Sequence, residues 1–324
     1  MSPPSAVASI AVLDDYQQTA RCFADWASLA PRAQPVFFHD HVADPDSLAA
    51  RLAPFDVVVL MRERTRLDAA LLARLPRLRL IVSVGMWNAA IDLHAARAQR
   101  VVVSGTSGGD PAATPALTWG LILAITRNLH AEAASVRAGG WQVGLGVDVN
   151  GKTLGLLGLG RIGQAVARLG QAFGMRTIAW SQNLTAERAA EHGVERVDKD
   201  QLFRDADVLS VHLKLGERTR GIVGQRELAL MKAGAYLVNT SRGPIISEAA
   251  LIEALQARRI AGAALDVFDE EPLARQHPFR FLPNVLATPH LGYVTENTYR
   301  AAYPQIVEAI QAWLDGAPVR ELPL

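Results

Sequence analysis

The fold of this chain is decided by the stretch Lys152-Thr-Leu-Gly-Leu-Leu-Gly158-Leu-Gly160-Arg161-Ile162-Gly163, which lies almost at the middle of its 324 residues. Its first half predicts a short apolar strand, and the glycines follow that strand directly. Apolar residues at helical spacing from Ile162 to Phe173 then predict a helix, which Gly174 ends. A Gly-x-Gly-x-x-Gly turn between strand and helix places a pyrophosphate on backbone N–H groups at the helix N-terminus. The stretch therefore predicts a dinucleotide site.

Each glycine of this turn has a separate physical role. Gly158 allows the tight turn, Gly160 lets the backbone approach the phosphates, and Gly163 lets the helix pack closely on the strand. Arg161 and Ile162 begin the helix, so we expect them to contact the cofactor as well. An ordinary tight turn is the alternative interpretation, and the strand and helix on either side favour the dinucleotide site.

Composition excludes several classes of protein. The length predicts about two domains, and 33 Lys and Arg against 32 Asp and Glu leave a net charge of +1. No basic run is present, so nucleic acid is not an expected partner. Neither a secretory signal nor a membrane-spanning segment is predicted, and no metal site is expected from the cysteines and histidines. Cys22 is the only cysteine, which favours a cytoplasmic location.

Strand-like and helix-like segments alternate on both sides of the glycine turn, which predicts an α/β protein with two doubly wound parallel-sheet domains. The predicted strands are short, apolar and β-branched. They are Ala8–Leu13, Val36–His39, Val57–Met61, Leu80–Val84, Val101–Val103, Thr153–Leu157, Arg176–Trp180, Val208–His212, Ala235–Asn239, Ala261–Leu265 and Val285–Ala287.

The predicted domains are discontinuous. A Gly-rich loop over Ser104–Pro111 is interpreted as a crossing between domains, and a long apolar helix is predicted over Ala112–Leu129. The last helix, Glu296–Leu314, is expected to cross back to the first domain. We therefore predict a substrate-binding domain of residues 1–108 and 292–324, with a dinucleotide-binding domain of residues 109–291 inserted in it.

Three polar side chains with catalytic chemistry follow predicted strands. Arg242 comes after the strand that ends at Asn239, Glu271 lies beyond the strand that ends at Leu265, and His290 follows a third strand. Taken singly, these are a surface arginine, an acid in a solvated turn and a loop histidine. Because parallel strands deliver their carboxyl ends to one edge of a sheet, the three together indicate a site.

At these residues the chain resembles the D-isomer-specific 2-hydroxyacid dehydrogenase family. The resemblance covers nearly the whole chain and rests on the stretches Gly158–Gly163, Val238–Gly243, Ala264–Phe268 with Glu271-Pro272, and Thr288–Gly292. It implies a Rossmann-type cofactor domain inserted in a flavodoxin-like substrate domain, with the active site in the cleft.

The resemblance also implies a role for each residue. Arg242 would hold the substrate, His290 would be the acid and base, and Glu271 would orient and charge His290. Asp266 matches the family acid near the nicotinamide, and we also expect Thr240 to contact the cofactor. These residue types suit the reduction of a 2-keto acid to a D-2-hydroxy acid, and the reverse, because the carbonyl oxygen gains a proton as hydride reaches C2.

Two departures from the family pattern affect the cofactor and the substrate. Ser181 stands where NAD enzymes carry an acid for the ribose hydroxyls, which slightly favours NADP and leaves NAD open. In the first domain, the backbone amides of Gly85 and Met86 are expected to bind the substrate carboxylate, although Trp87 stands where a second glycine is common. Arg62 or Arg64 nearby could meet a second anionic group or remain solvated.

Two other functions are alternatives to the dehydrogenase, and one assembly is expected. One is a dinucleotide-binding corepressor or sensor of the same fold, and the other is formate dehydrogenase, whose members carry Gln where Glu271 stands. A homodimer is expected, with contacts from the predicted helix Ala112–Leu129, which contains Trp119, and from the segment Ala138–Val149, which contains Trp141.

Overall fold

The computed structural model describes residues 7–323, which form two α/β units. One unit contains the described residues up to Asp110 together with those from Thr295 onward, and the other is Pro111–Val294. The predicted α/β class with two parallel sheets is confirmed. The boundaries between the two units lie two to three residues beyond those predicted from the sequence, which were 108/109 and 291/292.

The first unit is built on a five-stranded parallel sheet in the order β2-β1-β3-β4-β5. Strands β3 and β4 are buried along their whole length, as the near-continuous apolar sequence requires of strands covered on both faces. The five strands are β1 Ala8–Val12, β2 Ala33–Phe37, β3 Val57–Leu60, β4 Leu80–Ser83 and β5 Val102–Gly105.

Three helices in the first part of this unit begin directly after aspartates. They are α1 Pro45–Leu52, α2 Ala69–Leu72 and α3 Leu93–Ala98. In each case the aspartate before the first turn accepts a hydrogen bond from a backbone N–H inside that turn. These bonds satisfy N–H groups that have no partner within the helix, so the sequence itself specifies where each helix starts.

The second unit begins with two helices and continues as a seven-stranded parallel sheet in the order β12-β11-β10-β9-β6-β7-β8. Its helices are α4 Ala113–Thr126, α5 Leu129–Arg137, α6 Arg161–Ala172, α7 Ala186–Ala190, α8 Lys199–Asp205, α9 Gln225–Leu230 and α10 Glu248–Gln256. Its strands are β6 Thr153–Leu157, β7 Arg176–Trp180, β8 Glu195–Arg196, β9 Val208–Val211, β10 Tyr236–Asn239, β11 Gly262–Leu265 and β12 Val285–Ala287. The last helix, α11 Glu296–Leu314, packs in the first unit against β4 and β5.

Three predictions about individual elements were wrong. Strand β2 starts at Ala33, earlier than predicted, because it is an edge strand and tolerates Pro35, which lacks an N–H. The long helix predicted to reach Leu129 ends at Thr126, since Asn128 takes a left-handed conformation at φ 53°. Trp119 is a core residue: its ring stacks on Phe173 and its indole N–H donates to the Val166 carbonyl, so it is not exposed for a dimer contact.

Within residues 7–323, none of the helices is long and apolar enough to cross a bilayer. The same residues include no group of three or more His, Cys, Asp or Glu side chains placed to hold a metal ion.

Candidate active site

Three neighbouring strands of the second unit carry the predicted catalytic residues. Strand β11 lies between β10 and β12, with Leu265 in register with both Asn239 and Ala287. The loops that leave these three strands contain Arg242, Glu271 and His290. They therefore begin side by side at the carboxyl edge of the sheet, where open α/β sheets bind ligands.

Glu271 and His290 are in direct contact. The Nδ1 atom of His290 lies 2.6 Å from one carboxylate oxygen of Glu271, and the other oxygen accepts a hydrogen bond from the Phe268 N–H at 2.9 Å. The His290 side chain is 16% exposed, so it is accessible without being free to move in solvent. With Nδ1 directed at a carboxylate, Nε2 is the ring nitrogen left to exchange a proton with a substrate.

His290 adopts a left-handed backbone conformation with φ 55°, which is rare for a residue with a side chain. Such a conformation costs about 1–2 kcal/mol and persists where neighbouring contacts impose it. The contacts come from the buried carboxylate of Asp266. It accepts hydrogen bonds from the Thr288 hydroxyl at 2.6 Å, the Leu291 N–H at 2.8 Å and the Gly292 N–H at 2.9 Å.

The environment of Asp266 perturbs its acidity. Burial raises the pKa of the Asp266 carboxyl above its usual range, although the donated hydrogen bonds and the nearby His290 act in the opposite direction. From the family resemblance, Asp266 is expected near the nicotinamide. In the structure, both of its oxygens hold the loop that carries His290.

The loop of Arg242 packs tightly against the loop of Glu271 through Gly243. A Cβ on Gly243 would lie 2.1 Å from the Phe268 carbonyl carbon, so only glycine permits this approach. Within its own loop, the Arg242 carbonyl accepts from the Asn239 amide, and its guanidinium donates to the Ser241 carbonyl at 2.7 Å. The structure therefore brings the backbone of the Arg242 loop, through Gly243, into contact with the loop of Glu271.

The glycine turn lies at the point where the strand order of the sheet reverses, between β6 and β9. Gly158 has φ 108°, and a Cβ on Gly163 would lie 2.2 Å from the Gly158 carbonyl oxygen. A Cβ on Gly160 would instead meet no atom within 4 Å. A pyrophosphate site at a helix N-terminus requires open space beside one glycine, here Gly160. It also requires close backbone packing at the other two, here Gly158 and Gly163. Arg161 and Ile162 form the first turn of α6, next to this space.

Two other predicted cofactor residues occupy different environments. Ser181 follows β7 directly and is partly exposed. Thr240 is buried, and its hydroxyl lies 2.8 Å from the Thr118 hydroxyl of α4. Because Thr118 already donates to the Thr114 carbonyl, Thr240 is the donor in this pair and only its lone pairs remain for a ligand.

His212, which was not predicted as a site residue, lies under the glycine turn. A Cβ on Gly158 would be 2.8 Å from the His212 carbonyl oxygen, and the His212 Nε2 atom is 2.9 Å from the Ser210 hydroxyl. Burial lowers the pKa of the His212 imidazole to about 4, because the charged form loses its hydration. His212 is therefore neutral at physiological pH.

The predicted substrate loop belongs to the first unit. Gly85 has φ 98°, and its N–H donates to the Thr106 hydroxyl at 3.0 Å, so this amide is already engaged. Met86 is 40% exposed and Trp87 is 50% exposed. The guanidinium of Arg62 lies where a side chain on Gly85 would be, with Nη1 2.5 Å from that Cβ position.

The family model and two relatives that match this chain all describe 2-hydroxyacid dehydrogenases or reductases. Residues 119–292 match the family model described as "D-isomer specific 2-hydroxyacid dehydrogenase, NAD binding domain". The chain is 41% identical over 260 residues to a glyoxylate reductase of Aeropyrum pernix, a match that covers 78% of each chain. It is 38% identical over 274 residues to a D-3-phosphoglycerate dehydrogenase of Methanocaldococcus jannaschii, covering 84% of this chain and 52% of that one. The chain thus spans about half the length of the latter relative.

A solved structure is similar over almost all of both chains. It is described as a phosphoglycerate oxidoreductase from Vibrio cholerae, with 39% sequence identity and a TM-score of 0.91. The match covers 96% of this chain and 100% of that one.

Proposed function

Since this chain belongs to the D-isomer-specific 2-hydroxyacid dehydrogenase family, whose members are NAD-binding oxidoreductases, we propose that it reduces a 2-keto acid to a D-2-hydroxy acid and catalyses the reverse reaction. The observation that carries this proposal is the contact of 2.6 Å between His290 and Glu271. It places a histidine with one free ring nitrogen at the sheet edge that also carries the glycine turn.

In this proposal each side chain has one task. The guanidinium of Arg242 binds the substrate carboxylate and stabilises negative charge on the carbonyl oxygen. His290 donates the proton on Nε2 to that oxygen, and Glu271 keeps the Nδ1–H in place and compensates the charge of the imidazolium. The nicotinamide, when bound, supplies the hydride to C2. In the reverse direction His290 accepts the hydroxyl proton at the same atom.

The residues that would hold the dinucleotide lie where strands of the second unit end. The pyrophosphate would lie on the backbone from Gly158 to Gly163, where the space above Gly160 is open. Ser181 would face the ribose of the adenosine, and Thr240 and Asp266 would border the nicotinamide. We propose a preference for NADP over NAD, because Ser181 presents no carboxylate that would repel a 2′-phosphate.

We propose a small 2-keto acid as the substrate. Small 2-keto acids such as glyoxylate and hydroxypyruvate share the carboxylate and carbonyl that Arg242 and His290 would recognise. Met86 is 40% exposed, and its N–H would add a backbone donor for the carboxylate, since that of Gly85 is held by Thr106. The position of Arg62 beside Gly85 additionally supports a substrate that carries a second anionic group.

The test is oxidation of NADPH and of NADH, followed at 340 nm, with glyoxylate, hydroxypyruvate and its 3-phosphate, phenylpyruvate and branched 2-keto acids. We expect turnover with at least one acid, a D-configured product, and a loss of about 10²–10⁴ in kcat in the His290→Gln variant. Formate with NAD is included, because its oxidation would indicate formate dehydrogenase. Cofactor binding without turnover of any substrate would favour the sensor.

We also propose a homodimer through the segment Ala138–Val149, which lies between α5 and β6. It exposes several large apolar side chains, with exposed fractions of 74% for Trp141, 58% for Val143 and 99% for Leu145. Several large apolar side chains exposed within one short segment are typical of a protein interface. Light scattering after size-exclusion chromatography should give twice the chain mass, and Leu145→Asp should give the monomer. The cytoplasmic location stays a prediction from the cysteine content.

A further inference from the structure

Two threonines of α4, Thr114 and Thr118, lie one helical turn apart and therefore on the same face of the helix. Thr118 is completely buried, and Thr114 is partly buried. A hydroxyl inside an otherwise apolar helix must find a hydrogen-bond partner, because an unpaired buried polar group is costly. Each of these hydroxyls bonds to a different loop of the sheet edge.

Thr114 contacts the loop of His290. Its hydroxyl donates to the Gly292 carbonyl at 2.9 Å, while the N–H of the same glycine donates to Asp266 at 2.9 Å. A Cβ on Gly292 would lie 3.3 Å from the Thr114 hydroxyl oxygen and 3.4 Å from a carboxylate oxygen of Asp266. Gly292 is thus held from both sides, two residues beyond His290.

Thr118 contacts the loop of Arg242. Its hydroxyl accepts a hydrogen bond from the Thr240 hydroxyl at 2.8 Å and donates its own proton to the Thr114 carbonyl at 2.8 Å. Thr240 lies two residues before Arg242. Both loops are therefore attached by hydrogen bonds to one rigid helix.

We infer that Thr114 and Thr118 are positioning residues, which set the His290 loop and the Arg242 loop in register with each other through α4. The inference rests on the proposed function, because that function gives His290 and Arg242 their roles. A substrate held by one loop and protonated from the other is sensitive to their relative position. A displacement of about 1 Å between groups that hold and protonate a substrate can lower the rate about 100-fold, even when the substituted residue lies away from the reacting atoms.

The test replaces each hydroxyl by a methyl group of nearly equal volume. Thr114→Val and Thr118→Val should lower kcat about tenfold, and Thr114→Ser and Thr118→Ser should restore most of it. The matched control is Thr126→Val. Thr126 is buried in the same helix, but its hydroxyl donates only to carbonyls of α4, at 2.8 Å to Ile122. It should match the other variants in lost thermal stability while keeping wild-type kcat.

A second measurement does not depend on turnover. In cofactor-free protein with labelled histidines, the His290 ring resonance, assigned from its loss in His290→Gln, should shift or broaden in Thr114→Val and stay unchanged in Thr126→Val. Equal behaviour of these two variants in both measurements would overturn the inference. So would a serine variant as impaired as the valine variant, because packing would then account for the loss. A responsive His290 resonance in a protein that reduces no 2-keto acid would support positioning and refute the proposed function.

Discussion

His290 Nδ1 and a Glu271 carboxylate oxygen lie 2.6 Å apart, although the residues are separated by 19 positions and come from the loops after two different strands. Glu271 is itself held by the Phe268 N–H, and the two residues after His290 donate their backbone N–H groups to Asp266. The pair is therefore fixed at both ends. Such an arrangement suits a histidine that must keep one tautomer while its other nitrogen exchanges a proton.

Substitutions at this pair should separate the proton transfer from the orientation of the ring. We expect His290→Gln to lower kcat by about 10²–10⁴, because no proton donor remains. Glu271→Gln retains an acceptor for the Nδ1–H and loses the charge, so its kcat should lie between wild type and Glu271→Leu. Fluorescence titration of NADPH should show cofactor binding in all three variants. Wild-type turnover in His290→Gln would remove this residue from the mechanism.

The glycines of the turn should respond differently to alanine. Gly160 has φ −80°, which alanine adopts, and a Cβ there meets no atom within 4 Å. Gly160→Ala should therefore fold with an unchanged melting temperature and bind NADPH at least about tenfold more weakly, because the methyl group occupies the phosphate position. Gly163→Ala, whose Cβ would lie 2.2 Å from a carbonyl oxygen, should instead lose stability. Wild-type affinity in Gly160→Ala would show that phosphates do not approach this backbone.

Gly243→Ala should separate the Arg242 loop from the Glu271 loop. Its Cβ would overlap the Phe268 backbone at 2.1 Å, and neither backbone can move without disturbing Arg242 or Glu271. We expect a loss of about 1–3 kcal/mol in the free energy of unfolding, typical of overpacking, and at least a tenfold lower kcat/KM. Gly234→Ala is the control, because a Cβ at Gly234 meets nothing within 4 Å. Similar kinetics in both variants would count against a tight fit at Gly243.

The buried His212 should make stability depend on pH. Its pKa of about 4 in the folded state lies below the ordinary 6.5, so the unfolded chain takes up a proton first as pH falls. Stability is thus retained above pH 6.5 and lost towards pH 4, by about 2 kcal/mol between pH 7 and pH 5. Urea unfolding at these two pH values measures the difference, and His212→Asn should reduce it. An equal pH dependence in wild type and variant would exclude His212 as its source.

Cofactor choice should change at Ser181. An aspartate there would repel a 2′-phosphate and hold the ribose hydroxyls, so Ser181→Asp should lower kcat/KM with NADPH at least about tenfold and leave that with NADH equal or higher. Ser181→Asn has a similar shape without the charge and should retain the wild-type preference. If the two variants behave alike, the charge at this position does not select the cofactor.

Much of the fold could be predicted because it follows from local spacing. The glycine turn has its φ of 108° at Gly158 and its helix start at Arg161, as the motif requires. Strand β2 was misplaced because Pro35 weakens the local strand signal, which edge pairing with β1 overrides. The helix break at Asn128 and the burial of Trp119 were missed because an apolar run does not show where a helix ends or which face is covered.

The sequence by itself determined the two parallel sheets, the dinucleotide turn and the set of polar residues that follow strands, because these depend on periodicity and on residues a few positions apart. Tertiary packing sets the 2.6 Å contact between His290 and Glu271 that the family resemblance implied, and it alone shows that Asp266 holds the His290 loop and that Thr106 engages the Gly85 amide. The threonines of α4 also gained partners that their helical spacing does not reveal. Hydrogen bonds between distant segments depend on strand order and close packing, and neither can be predicted from the local sequence.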